Sequence, residues 1–226
     1  MTPSPGNPGS RLDAVLFDMD GTLVDTEPYW IAAEYALVES FGGTWNDEHA
    51  HALVGNALID SARYIRAHGG VDLDPAEIVT RLLADVVAAT TRTIPWRPGA
   101  LALLAELREH AVPCALVTMS YDELARTMTD QLPDDTFAAV VTGDQVNDGK
   151  PHPEAYLTAL DRLGVSAVGS VAIEDSPTGV RSAEAAGCLV LGVPHRVPIE
   201  PAPGRVLIDS LQDLDVARLT ELVQHR

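Results

Sequence analysis

Six short apolar runs, all but one ending in a polar residue, constrain the fold of this chain more than any other feature. They are Ala14–Asp18, Cys114–Thr118, Ala138–Thr142, Val171–Asp175, Leu189–Val193 and Val206–Asp209. Most are nearly continuous in Val, Leu and Ile, with little polar alternation, which is how strands buried on both faces of a parallel sheet read. Helix-like segments separate them. Pro98–Glu109 opens on Pro-Gly and carries leucines at 101, 103, 104 and 107. Pro153–Leu163 opens on proline and is followed by Gly164, and Pro177–Ala186 has Ser176 as a cap and Gly187 just past its end. This alternation predicts an α/β fold with an open, Rossmann-like parallel sheet. From about Glu27 to Thr93 the rhythm breaks, and the pattern is helical over Tyr29–Ser40, Ala57–Ala67 and Pro75–Thr91. The expected organisation is a flexible tail over 1–11, an α/β core over 12–25 and 96–226, and a helical cap over 26–95, inserted after the first strand. The cap leaves through the stiff segment Ile94-Pro95-Trp96-Arg97-Pro98.

A chain of 226 residues buries a substantial core without disulfides. Its 33 acids against 15 bases give a net charge of -18 with no basic run, which argues against binding nucleic acid or an anionic membrane. No apolar stretch approaches the roughly 20 residues of a membrane span, and the first ten residues lack the pattern of a signal peptide. Cys114 and Cys188 lie in apolar stretches and read as buried thiols. A soluble cytoplasmic protein, monomeric or weakly dimeric, is the expectation.

The chemistry gathers at strand ends. The first run finishes Phe17-Asp18-Met19-Asp20-Gly21-Thr22, which sets two carboxylates at one sheet edge with a glycine to turn the backbone away. Acids so close repel unless a cation joins them, and a hard divalent ion, Mg²⁺, suits oxygen ligands. The fourth run ends Glu174-Asp175-Ser176, a second acidic pair that can complete a metal shell or simply cap a helix. Thr118, Met119 and Ser120 end the second run, where hydroxyls and N–H groups can hold phosphoryl oxygens or, again, cap a helix. Lys150 is the only lysine; the other 14 basic residues are arginine. A lysine kept in such a background suggests that a compact ammonium is required. No Walker A loop, G-x-S-x-G elbow or G-x-G-x-x-G turn is present. His49 and His51 read as solvated, and Trp30, Trp45 and Trp96 as core or hinge packing, with the cleft as the alternative.

Taken together these segments resemble the haloacid dehalogenase superfamily, whose four motifs are matched in order by Asp18-Met19-Asp20-Gly21-Thr22, Thr118, Lys150 and Glu174-Asp175. The helical insertion resembles the subfamily of β-phosphoglucomutase and small sugar-phosphate phosphatases. Asp25-Thr26-Glu27-Pro28-Tyr29-Trp30 is similar to the opening of the cap in hexose- and deoxysugar-phosphate phosphatases. The resemblance implies Asp18 as nucleophile and Asp20 as acid and base. It implies Mg²⁺ held by Asp18, the Asp20 carbonyl and Asp175, with Glu174 in or near the shell. Lys150, Thr118 and Met119 would hold the phosphate, with Glu27, Asn56 and Ser120 at the substrate. The presence of Asp20 argues against the dehalogenase branch, and a cap without lysine argues against the phosphonatase branch. The mutase alternative stays open. The loop Leu53–Ser61 resembles the mutase's specificity loop, but Val54 and Leu58 or Ile59 stand where the mutase has basic residues, leaving Arg63 or Arg66 to compensate. A non-catalytic, partner-binding member is the third reading, opposed by the complete set of acids and lysine. The expectation is a phosphatase for a small sugar or polyol phosphate.

Overall fold

Every one of the six apolar runs forms a strand: β1 (Ala14–Phe17), β2 (Cys114–Val117), β3 (Ala139–Val141), β4 (Ser170–Glu174), β5 (Leu189–Gly192) and β6 (Arg205–Leu207). The computed structural model describes residues 11–226, so the first ten residues of the expected tail lie outside the described residues. The strands make one parallel sheet in the order β3-β2-β1-β4-β5-β6. Phe17 is level with Leu116 on one side and Ile173 on the other. The next residues along, Asp18, Val117 and Glu174, therefore arrive together at one rim.

Nine helices complete the described residues: α1 (Glu27–Ser40), α2 (Asp47–His51), α3 (Leu58–His68), α4 (Pro75–Arg92), α5 (Ala100–Glu109), α6 (Asp122–Thr129), α7 (Glu154–Leu163), α8 (Pro177–Ala185) and α9 (Val216–Gln224). Successive strand residues face opposite sides. Ala14, Leu16, Ala115, Val117 and Ala172 face α7 and α8, which present Ala155, Ala159, Val180 and Ala183. Small residues on both surfaces let these helices sit close to the sheet. Val15, Phe17, Leu116, Val171 and Ile173 face α5, α6 and α9 through Leu103, Leu107, Leu124 and Leu219. Burying each large apolar side chain of this kind contributes about 1.5–3 kcal/mol. Both thiols are buried and unpaired, and burial pushes each up to about 12.

Helices α1–α4 occupy the span between β1 and α5, with α1 and α3 packed on α4 and α4 reaching α6. The chain leaves for them and returns through paired segments. Asp25 N–H donates to the Pro95 carbonyl at 2.8 Å and Arg97 N–H to the Leu23 carbonyl at 2.8 Å, with Val24 and Trp96 bridged antiparallel. The sequence pattern misses three helices. α2 has only five residues, α6 follows Tyr121, which makes no side-chain cap, and α9 follows the cap Asp215. His49 is not freely solvated as expected: its ring stacks on Trp45 at 4.6 Å and its Nδ1 lies 3.0 Å from the Tyr64 hydroxyl. No helix among the described residues is long and apolar enough to cross a membrane.

Candidate active site

Asp18 and Asp20 leave β1 where its neighbours β2 and β4 lead off in opposite directions, the switch point at which open α/β sheets bind ligands. The loop is tight: the Leu23 and Val24 N–H groups both donate to the Met19 carbonyl, at 2.9 and 3.1 Å. Gly21 has φ +88°, and a Cβ there would stand 2.0 Å from Asp175 Oδ2. Glycine is needed both for the left-handed backbone and for the approach of the acid that follows β4.

Lys150 arrives from the loop before α7 and is 5% exposed. Its Nζ donates to Asp18 Oδ1 at 2.7 Å, Glu174 Oε1 at 2.6 Å and the Val117 carbonyl at 2.9 Å, which engages all three ammonium protons. Glu174 Oε1 also accepts from the Tyr156 hydroxyl at 2.6 Å, and Oε2 from the Ser176 hydroxyl at 3.4 Å. Burial opposes the lysine charge, but the charges of Asp18 and Glu174 outweigh it and raise its pKa above that of an ordinary lysine.

Asp18, Glu174 and Asp175 bring one oxygen each within 4.8 Å of one another, against that single ammonium. Burial pushes Asp18 up to about 7, with Lys150 opposing and Glu174 adding to the shift. Burial, then the charges of Asp18 and Glu174, hold Asp175 well above the usual carboxylate range. Asp18 Oδ2 is buried with no hydrogen-bond partner among the described residues. A hard divalent cation between Asp18 and Asp175 would resolve each of these features. It would supply the missing positive charge, take oxygen ligands and partner the orphaned atom. The donor set therefore fits Mg²⁺.

Asp20 stands over the end of β2. Its Oδ2 accepts from Ser120 Oγ at 2.7 Å and Thr118 Oγ1 at 3.2 Å, and its Oδ1 from Thr26 Oγ1 and, at 3.5 Å, from Trp30 Nε1. The second acid is thus tied both to the strand-end hydroxyls and to the start of α1.

One cavity of about 70 Å³ joins these groups, with α1, α3, α4 and the loop before α3 forming its roof. Nine of the ten residues expected at the site line it: Asp18, Asp20, Glu27, Asn56, Thr118, Met119, Ser120, Lys150 and Asp175. The tenth, Glu174, is fully buried behind Lys150 and still within ligand reach of the acid cluster. Trp30 lines the cavity, while Trp45 is buried among the helices of the roof and Trp96 lies in the paired segments below them. Arg63 and Arg66, the candidates to compensate for the absent basic loop residues, do not line this cavity, although Arg63 lines a neighbouring one that Lys150 also borders. Arg63 pairs with Asp60 at 2.7 Å and Arg66 with Asp72 at 3.8 Å, both on exposed surface outside the cavity.

Sequence reasoning passed over Thr26, Tyr156 and Glu34. Tyr156 reads as plain core, and nothing in the sequence announces its hydroxyl. Glu34 left a usable signal: it stands four residues after Trp30 and seven after Glu27, an acid on the helix stripe that should be buried. Burial pushes Glu27 up to about 7, with the Asp20 charge adding. Burial pushes Glu34 up to about 8, against the Trp45 hydrogen bond.

The sequence profile of the haloacid dehalogenase-like hydrolases matches residues 15–193, from β1 to just beyond β5. The chain belongs to this family. Among its haloacid dehalogenase-like relatives, hexitol phosphatase A of Escherichia coli (strain K12) is 36% identical over 190 residues, spanning 81% of this chain and 83% of that one. A phosphorylated carbohydrates phosphatase of Thermotoga maritima is 30% identical over 186 residues, spanning 81% and 86%. Among solved structures, CbbY from Rhodobacter sphaeroides in complex with xylulose-(1,5)bisphosphate superposes with a TM-score of 0.80 at 28% identity, over 90% of this chain and 96% of that one. A β-phosphoglucomutase from Clostridium difficile superposes at 0.81 with 20% identity, over 95% and 98%, which is a likeness of fold. This haloacid dehalogenase-like hydrolase is therefore an enzyme of phosphate-ester hydrolysis, similar to phosphatases of small phosphorylated metabolites.

Proposed function

We propose that the enzyme is a Mg²⁺-dependent phosphatase of a sugar or polyol phosphate, working in the cytoplasm through an aspartyl-phosphate on Asp18. The observation that carries this reading is the triple engagement of Lys150 with Asp18, Glu174 and the end of β2, beside an Asp18 oxygen left without a partner. A lysine buried for packing alone would carry its desolvation cost with no ligand to bind. Here it holds one oxygen of Asp18 in place and offers positive charge where a phosphoryl group must enter.

Phosphoryl transfer asks the protein mainly for positioning and charge neutralisation. Bound by Asp18, Asp175 and the Asp20 carbonyl, Mg²⁺ supplies charge neutralisation for the phosphate and the nucleophile. Asp18 attacks phosphorus and the ester oxygen leaves, taking a proton from Asp20. Asp20 then accepts a proton from water as that water attacks the phosphorus of the aspartyl-phosphate, and free phosphate and the Asp18 carboxylate are restored. Thr118 and Ser120, now bonded to Asp20, lie within reach of both acid and phosphate. Glu174 and Tyr156 hold Lys150 in position from behind.

The cavity of about 70 Å³ has room for roughly five waters and not for a whole sugar phosphate. Helices α1–α4 thus act as a cap over residues 26–95 that parts for substrate and product and excludes water when shut. A mutase must also grip a second phosphate, and no arginine or lysine of this cap lines the cavity. That favours hydrolysis. Phosphate release from hexose and hexitol phosphates is expected to stop on adding a chelator and to return with excess Mg²⁺. Asp18→Asn should lower it by about 10³-fold or more, since the nucleophile is gone. Unimpaired release by Asp18→Asn excludes this mechanism.

A further inference from the structure

The cavity is chemically one-sided in a way that phosphate release does not require. Its floor holds Lys150, whereas its roof carries two acids, Glu27 and Glu34, and no basic residue. Most of the remaining roof is apolar, and Asn56 uses one of its amide N–H groups on the Ala52 carbonyl at 2.9 Å.

Glu34 is the unexpected member. It is 5% exposed, on the stripe of α1 that otherwise packs. Trp45 Nε1 donates to its Oε2 at 3.0 Å, and the indole is itself held by the stack with His49. No hydrogen bond is made by Oε1 among the described residues. One half of the carboxyl is therefore anchored while the other is free, in a side chain that lines the cavity. An apolar residue of similar size would pack there without placing a carboxyl oxygen on the cavity wall.

We propose that Glu34 is a specificity-determining residue: its free carboxyl oxygen pairs with a hydroxyl of the substrate's carbon chain, and with Glu27 it rejects substrates bearing a second anionic group. This inference rests on the phosphatase reading above and narrows the substrate to the monophosphate of an uncharged polyhydroxylated chain. A carboxyl group that burial holds toward its neutral form both donates to and accepts from hydroxyls. A second phosphate or a carboxylate placed beneath this roof would find two acids and no basic residue, and so would be buried without a partner charge.

The test compares kcat/KM for the best hexose or hexitol monophosphate with kcat/KM for p-nitrophenyl phosphate, which has no chain hydroxyls. Glu34→Leu should lower the ratio of the two about 10- to 100-fold, as expected for losing a hydrogen bond to an ionisable group in a closed site. Glu34→Gln still accepts from Trp45 through its amide oxygen and donates to a hydroxyl through its amide nitrogen, so its ratio should stay within about threefold of the parent's. The parent should prefer the monophosphate to fructose 1,6-bisphosphate and to phosphoglycolate. An unmoved ratio in Glu34→Leu, an equal fall in Glu34→Gln, or a parent that prefers either competitor with a second anionic group overturns the role of Glu34 and leaves the phosphatase reading standing. If Glu34→Leu does not fold, as shown by no turnover of p-nitrophenyl phosphate, the Glu34→Gln ratio and the parent's preferences decide. No release from any monoester by the parent sinks the phosphatase reading, and this inference with it.

Discussion

Lys150 and Glu34 show how differently single residues announce themselves. The lone lysine stood out because every other basic residue is arginine, and the structure places it on both Asp18 and Glu174. Glu34 was hidden because a glutamate on a helix is ordinary, and only its contacts mark it. Its burial has a consequence that can be measured. In the unfolded chain it loses its proton near the usual 4.5, whereas in the folded protein it keeps it up to about 8. Between those values the folded state binds the extra proton, so this residue makes stability fall as pH rises from about 5 to about 8. Glu34→Gln removes that dependence. Urea unfolding of the two proteins should show the variant gaining on the parent across this range, by about 1 kcal/mol or more at the upper end. A constant difference between pH 5 and pH 8.5 would contradict the buried, proton-retaining state.

At the scale of elements, the strands were legible and the short helices were not. A strand buried on both faces writes a continuous apolar run, and all six were readable within one or two residues of their ends. Helix α6 offers only Leu124, Ala125 and Met128 to the core over eight residues, too few for a period to show. The loop that closes the cavity was legible as a loop, but its contacts were not. Gly55 there has φ +74°, and a Cβ would stand 2.7 Å from Ser176 Oγ, the hydroxyl that caps α8. The loop can press on the core only with glycine at this point. Gly55→Ala combines backbone strain with a steric clash worth about 1–3 kcal/mol in the shut arrangement, so KM for the sugar phosphate should rise roughly tenfold. Steady-state kinetics on the folded variant check this, and an unchanged KM means that the shut arrangement is not the one that binds substrate.

Over the whole molecule, a net charge of -18 opposes an anionic substrate, and the fold meets this locally. The switch point of the sheet brings the ends of β1, β2 and β4 together, so residues more than a hundred positions apart share one pocket. That convergence was legible in outline, because motifs at strand ends must meet at a common rim. The direction of the roof side chains was not, because helix packing sets it and no local pattern encodes it. The central claim is that this convergence makes Asp18 the nucleophile. The most direct measurement is to quench the enzyme with acid during turnover of a hexitol phosphate with Mg²⁺ and locate the covalent phosphoryl group by peptide mass spectrometry. A hydroxylamine-labile phosphoryl group on the peptide bearing Asp18, absent without Mg²⁺, is the predicted result. Steady turnover with the phosphoryl group on another residue, or with none on the protein under conditions that trap other acyl phosphates, would contradict it.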